Sequence, residues 1–139
     1  GERWESLSDT FELGAIEVAR ASRRRGIATA LLAALELCLP LENVVVFTRA
    51  FASHWDMSVV DTSAFRRRVL VLQILRRAGF EWQHTDDPEV AMDPLNFLCV
   101  RYGLRAPSDA VVAFHELLVA PPTVRAWRYG GSRRFPSPR

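Results

Sequence analysis

The densest chemistry lies in one stretch: Val18-Ala19-Arg20-Ala21-Ser22-Arg23-Arg24-Arg25-Gly26-Ile27-Ala28-Thr29-Ala30. A strand signal runs into a turn with one Gly, and small residues then open a helix. That order leaves the first backbone N–H groups of the helix unpaired and aimed at one point. The helix dipole favours an anion there, and Gly26 lets a ligand approach the backbone closely. Ala28 and Thr29 keep the first turn uncluttered, so a pyrophosphate is the natural guest. Arg23, Arg24 and Arg25 add bidentate cationic reach toward phosphate. The same spacing also describes an ordinary strand-to-helix turn beside a solvated Arg cluster. One Gly is a weaker signal than G-x-G-x-x-G, and no G-x-x-x-x-G-K-[ST] occurs. All 18 basic residues are Arg. Without Lys, the chain has no lysine Schiff base and no Walker-type lysine.

Two further groups carry titratable side chains. In His54-Trp55-Asp56 an Asp could fix a His tautomer for acid–base work, although a spacing of two is poor for direct contact in a strand. The other reading is a loop-anchoring His beside a packed Trp55. Thr85-Asp86-Asp87-Pro88-Glu89 reads either as an acidic rim that attracts a basic segment or as an Asx turn before Pro88. Cys38 and Cys99 sit in apolar stretches and read as two buried, reduced thiols. No metal site is expected.

The elements that must position these residues alternate between strand and helix patterns. Residues 11–19 mix apolar and polar side chains as a strand does. Residues 26–39 predict a helix with Ile27, Leu31, Leu35 and Cys38 along one face, stopped by Pro40. Residues 44–48 form a β-branched run suited to a buried parallel strand. After a loop over 49–62, Ser63 is placed to cap a helix with Phe65, Val69, Leu72 and Leu75 on one face, closed by Gly79 at C′. Residues 80–84 read as a strand, 86–94 as a loop and 96–102 as a strand. Ser108 is expected to cap a last helix with Val111, Phe114 and Leu118 inward.

The Arg23–Ala28 segment resembles the R/Q-x-x-G-x-G/A acetyl-CoA signature of the GNAT superfamily of N-acetyltransferases. The strand–turn–helix–strand–helix order around it matches as well. Residues 12–18 (ELGAIEV), His54-Trp55-Asp56, Thr85 to Glu89 and Asn96-Phe97-Leu98 look more narrowly like the acetoin-utilisation acetyltransferase family, over residues 11 to 119. The resemblance implies an α/β (α+β) fold: a mixed sheet flanked by helices, amounting to the C-terminal half of the GNAT fold with its N-terminal strands missing. It implies acetyl-CoA as co-substrate and transfer of acetyl to a lysine of a partner protein such as acetyl-CoA synthetase. Backbone N–H groups of Arg24 to Thr29 would hold the pyrophosphate, with Arg20, Arg23 and Ile27 in the same turn. A backbone N–H near Val18 or Ala19 would polarise the thioester carbonyl. Glu12 stands 14 residues before Gly26, close to where protein-acetylating members carry a general base. Glu17 and His54 are the alternatives. One departure is Ile74 and Leu75 where many members place a Tyr that protonates the leaving thiolate.

Ten residues precede Phe11, where the superfamily has further strands and helices. The resemblance therefore implies an exposed edge strand and apolar face, and hence a fragment, a chain that needs a partner, or self-association. The domain expected at 11–120 lies between a lead at 1–10 and a tail at 121–139 rich in Pro, Gly and Arg. The first 120 residues hold 13 Arg against 16 acids, a net charge of −3, and the tail holds five Arg and no acid. Arg and aromatic residues interleave in the tail, a pattern used on single-stranded nucleic acid, but the acidic body argues against such a partner. No apolar run is long enough to span a membrane and no signal peptide is evident, so a cytoplasmic protein is expected. The second function class is a non-catalytic CoA-binding or regulatory module.

Overall fold

The computed structural model describes residues 2–14, 26–55 and 63–120. Four strands lie within them: β1 (Thr10–Glu12), β2 (Val45–Ala50), β3 (Glu81–Gln83) and β4 (Phe97–Tyr102). Five helices accompany them: α1 (Glu2–Glu5), α2 (Ile27–Cys38), α3 (Ala64–Arg77), α4 (Pro88–Ala91) and α5 (Ser108–Leu117). The sheet order is β1-β2-β4-β3. β1 runs parallel to β2, whereas β4 is antiparallel to both β2 and β3. This is the expected mixed sheet flanked by helices.

Alternation along the two central strands builds two apolar layers. Val45, Phe47, Leu98 and Val100 face Trp4 of α1 and Ala110, Phe114 and Leu118 of the α5 region. Val46, Phe97 and Cys99 face Leu32 of α2, Leu75 of α3 and Phe80. Burial on both faces is why 44–48 reads as an unbroken apolar run. It also pushes the Cys99 thiol up to about 12, against the pull of Arg76 and Arg68. Cys38, expected inside, is exposed at the end of α2.

Both long helices form where the sequence places them, but each presents a different face from the one expected. In α2 only Leu32 is fully buried, with Leu35 partly packed, while Leu31 and Cys38 are exposed. A helix that is apolar nearly all round has no single stripe to read. In α3 the packed positions are Val71, Leu72, Ile74 and Leu75, and Phe65 and Val69 are exposed. Arg68 is the reason: its guanidinium carbon lies 5.3 Å from the Phe97 ring centroid, so a charged residue occupies the inward face.

The helix ends are better forecast. Leu39, before Pro40, is extended and ends α2. The Ser63 hydroxyl accepts from the Arg66 N–H at 3.2 Å. Gly79 has φ +85°, with Gly79 N–H donating to Arg76 and Phe80 N–H to Leu75, a Schellman closure. The expected loop at 86–94 contains α4, because Asp87 caps it and Pro88 takes its first turn. α5 starts one residue earlier than expected, with Pro107 as its cap and Ser108 inside it.

The strand expected over 11–19 is present as Thr10–Glu12. Residues 15–19 and the tail at 121–139 lie outside the described residues. β1 is an edge of the described sheet, and its Phe11 is exposed. Within the lead Trp4 is packed, its ring centroid 5.0 Å from that of Phe47 and 5.2 Å from that of Phe114. Among the described residues no helix is long and apolar enough to cross a membrane.

Candidate active site

β1 and β2 run parallel, and among the described residues the backbone bond nearest their carboxyl ends is Leu13 N–H to the Phe47 carbonyl, at 2.7 Å. Ligands of open α/β sheets bind outside the carboxyl ends of such strands, and a cleft of about 150 Å3 opens there. Leu13 and Gly14 form one side, and Thr48, Arg49 and Ala50 of β2 form the floor. Ala28 and Leu32 of α2 and Val71, Ile74 and Leu75 of α3 make the apolar walls, and Phe51, His54 and Trp55 close the rim. Ile74 and Leu75, which stand where the resemblance leads one to expect a Tyr, both line the cleft.

Gly26 precedes α2 in the left-handed region (φ 71°, ψ 16°), and no side chain caps the helix. A Cβ placed on Gly26 would meet nothing within 4 Å. The backbone angle, not crowding, demands glycine here. The first turn of α2, with the N–H groups of Ile27, Ala28 and Thr29, lies beside the cleft that Ala28 lines. Val18, Ala19, Arg20, Arg23, Arg24 and Arg25, also expected at this turn, lie outside the described residues, as do Glu17 and Asp56.

The two described proton-acceptor candidates sit on opposite faces of the sheet. Glu12 pairs in register with Phe47, so it shares the face of α1 and α5, away from the cleft. Its carboxylate receives Arg49 Nε at 2.7 Å on Oε1 and Arg49 Nη2 at 3.2 Å on Oε2. His54 lies in a 3-10 turn (Ala52–His54), exposed, edge-on to Phe51 at 5.5 Å and lining the cleft. Trp55 packs 6.4 Å from Phe97.

The acidic stretch before α4 is not a rim. Thr85 donates to the Leu118 carbonyl at 2.6 Å and accepts from Asp87 N–H. Asp86 receives Arg3 at 2.7 Å and the Ala120 N–H. Asp87, only 4% exposed, receives the Trp4 indole N–H at 2.7 Å and caps α4 through Glu89 N–H at 3.0 Å. These carboxylates are spent on tying the chain ends and α4 together. Glu89 alone stays open to solvent, and it takes Arg49 Nη1 at 2.5 Å.

Arg49 is the residue that sequence reasoning missed. Its side chain is 7% exposed and meets Glu12, Asp87 and Glu89 together. Burial pulls its pKa down, but the Glu12 hydrogen bond and charge, with Asp87 and Glu89, outweigh that and hold it raised. Strand parity was the available signal: two residues beyond Phe47, Arg49 must share Glu12's face once β1 and β2 pair. Among the described residues no group of three or more His, Cys, Asp or Glu could hold a metal ion.

Acetoin utilization proteins of Bacillus licheniformis and Bacillus subtilis are each 30% identical to the chain over 118 residues. The crystal structure of an acetoin utilization protein from Exiguobacterium sibiricum superposes with a TM-score of 0.80 at 30% identity, over 91% of this chain. The chain is a relative of the acetoin utilization proteins. That is the narrower of the two resemblances carried by its motifs. The Bacillus matches cover 84% of this chain and 56% of each relative, and the crystal structure is covered over 59% of its length. The chain thus spans little more than half of the acetoin utilization proteins it matches. No protein-family model matches it.

Proposed function

We propose that this chain carries the acetyl-CoA site of a GNAT-type N-acetyltransferase that modifies a lysine of a partner protein, with acetyl-CoA synthetase as the candidate acceptor. One observation carries the reading: a narrow apolar cleft at the carboxyl ends of two parallel strands, beside a helix start with no side-chain cap at a left-handed Gly26. The relatives' names support it, because an acetoin utilization protein is what the motifs resemble.

The residues divide the work. The first-turn N–H groups of α2 would hold the pyrophosphate. The walls from α2 and α3 would exclude water from the thioester arm, and acetyl-CoA supplies the activated acetyl group. An acceptor lysine arrives as an ammonium and gives up one proton. Its nitrogen then bonds to the acetyl carbon, the C–S bond breaks toward sulfur, and the nitrogen's second proton leaves to solvent. His54 is the described candidate best placed to take that proton. It lines the cleft and is open to solvent, and an imidazole can serve as a general base. Glu12 is engaged by Arg49 on the far face. With Ile74 and Leu75 apolar, the thiolate takes its proton from water, which an ordinary thiol pKa of about 8.5 permits.

Calorimetry with acetyl-CoA and radioactive acetyl transfer to acetyl-CoA synthetase test the proposal. Binding with transfer is the expected result. Binding without transfer makes the chain a CoA-binding module, and no binding sinks both readings. Ala28→Leu, which fills the cleft wall, is expected to weaken acetyl-CoA binding about tenfold or more without lowering the melting temperature. His54→Gln is expected to lower turnover about 100-fold at neutral pH with binding retained.

A further inference from the structure

We propose that Arg49 is a positioning residue: its two-point tie to Glu12 fixes the end of β1, whose next two residues, Leu13 and Gly14, wall the donor cleft. The inference rests on the acetyl-CoA reading of that cleft. It assigns Glu12 a different task from proton transfer.

The geometry is specific. Glu12 is the last residue of β1, Leu13 N–H donates to the Phe47 carbonyl of β2, and Gly14 is already cleft wall. Arg49 reaches across from β2 to β1 at this level. The fork binds both Glu12 oxygens, so it fixes distance and angle together, which a single contact would not. The guanidinium is itself braced from the other side. Nη1 meets Glu89 at 2.5 Å and Asp87 at 3.4 Å. Asp87 is buried and fixed by the Trp4 indole. A continuous chain of contacts therefore runs from α1 through α4 to the end of β1, on the face opposite the cleft. Moving the end of β1 moves Leu13 and Gly14, and with them one wall of the donor site. Acyl transfer is sensitive to displacements of that size, about 100-fold in rate for roughly 1 Å.

Four variants of the intact protein test this: R49K, E12A, E12Q and, as a control on the outer contact, E89Q. Turnover at saturating substrates, the acetyl-CoA dissociation constant and the melting temperature are measured for each. Lys keeps the charge of Arg49 but cannot make the fork. R49K and E12A are expected to lose about tenfold or more in kcat, with acetyl-CoA affinity held within about threefold because α2 is untouched. E12Q keeps one acceptor for Arg49 Nε but turns an amide NH2 toward Nη2, so the fork is reduced to one contact and kcat is expected to fall by less than in E12A, about threefold to tenfold. E89Q weakens the outer brace but leaves the Glu12 fork and Asp87 in place, so a loss in kcat smaller than that of R49K is expected. If E12Q and E12A fall alike while R49K stays active, Glu12 handles the proton itself and the positioning role is wrong. If R49K and E12A lower only the melting temperature, the pair is structural and the proposal fails. Absence of acetyl-CoA binding by the unsubstituted protein overturns the donor-site reading, and the proposal with it. Normal binding with fully active R49K and E12A overturns the positioning role alone.

Discussion

Trp4 links the core to the charged face: its ring packs between Phe47 and Phe114, and its indole N–H holds Asp87. Trp4→Ala therefore removes a buried aromatic and leaves a buried carboxylate short of a donor. A loss of about 3–5 kcal/mol is expected, read as a lower urea midpoint in equilibrium unfolding. Gly103 is constrained for a different reason. A Cβ there would lie 2.4 Å from the Glu42 carbonyl oxygen and 2.5 Å from that of Leu41. Gly103→Ala must push the backbone apart and is expected to cost about 1–3 kcal/mol or more, measured the same way. Neither role could be read from the residue itself. Gly26 was legible because its chemistry is local, a turn before a helix. Trp4 was not, because its partners lie 43 and 110 residues away, at Phe47 and Phe114.

Among the elements, the strands and the long helices were legible because alternation, Pro40, Ser63 and Gly79 are short-range signals. Helix faces were not. In α3 the inward face includes Arg68 over Phe97, which no apolar periodicity reveals. The acidic stretch before α4 was legible as an Asx turn and misleading as a rim, because the donors that consume it come from Arg3, Trp4 and Arg49. At the closure of α3, Gly79 has φ +85° and lies against Arg101, whose Nε would be 3.3 Å from an added Cβ. Gly79→Ala carries a left-handed backbone cost of about 1–2 kcal/mol. A matching drop in melting temperature, with acetyl-CoA binding unchanged, is expected. Altered binding would mean that this helix end is coupled to the cleft.

At the scale of the whole molecule, the two ends of the sheet are held by opposite charge arrangements. At the cleft end one buried guanidinium serves three carboxylates. At the other end Glu42, in the 3-10 turn Leu41–Asn43 before β2, ties the loop after β4. One oxygen accepts from Leu104 N–H at 2.9 Å, and the other meets the Arg101 guanidinium. The Leu104 N–H, then Arg101, hold the Glu42 carboxyl below the usual range, with only partial opposition from burial. A carboxyl whose pKa is lowered by folding adds stability that is complete above its unfolded value of about 4.3 and is lost as pH falls through the lowered native value. Glu42→Gln is therefore expected to melt below the unsubstituted protein at pH 7. The gap should narrow steadily as the buffer is taken below about pH 4.3. Thermal melts of both proteins across that range check it. A gap that stays constant with pH would mean that Glu42 acts by shape alone, and a gap that widens in acid would reverse the sign of the linkage.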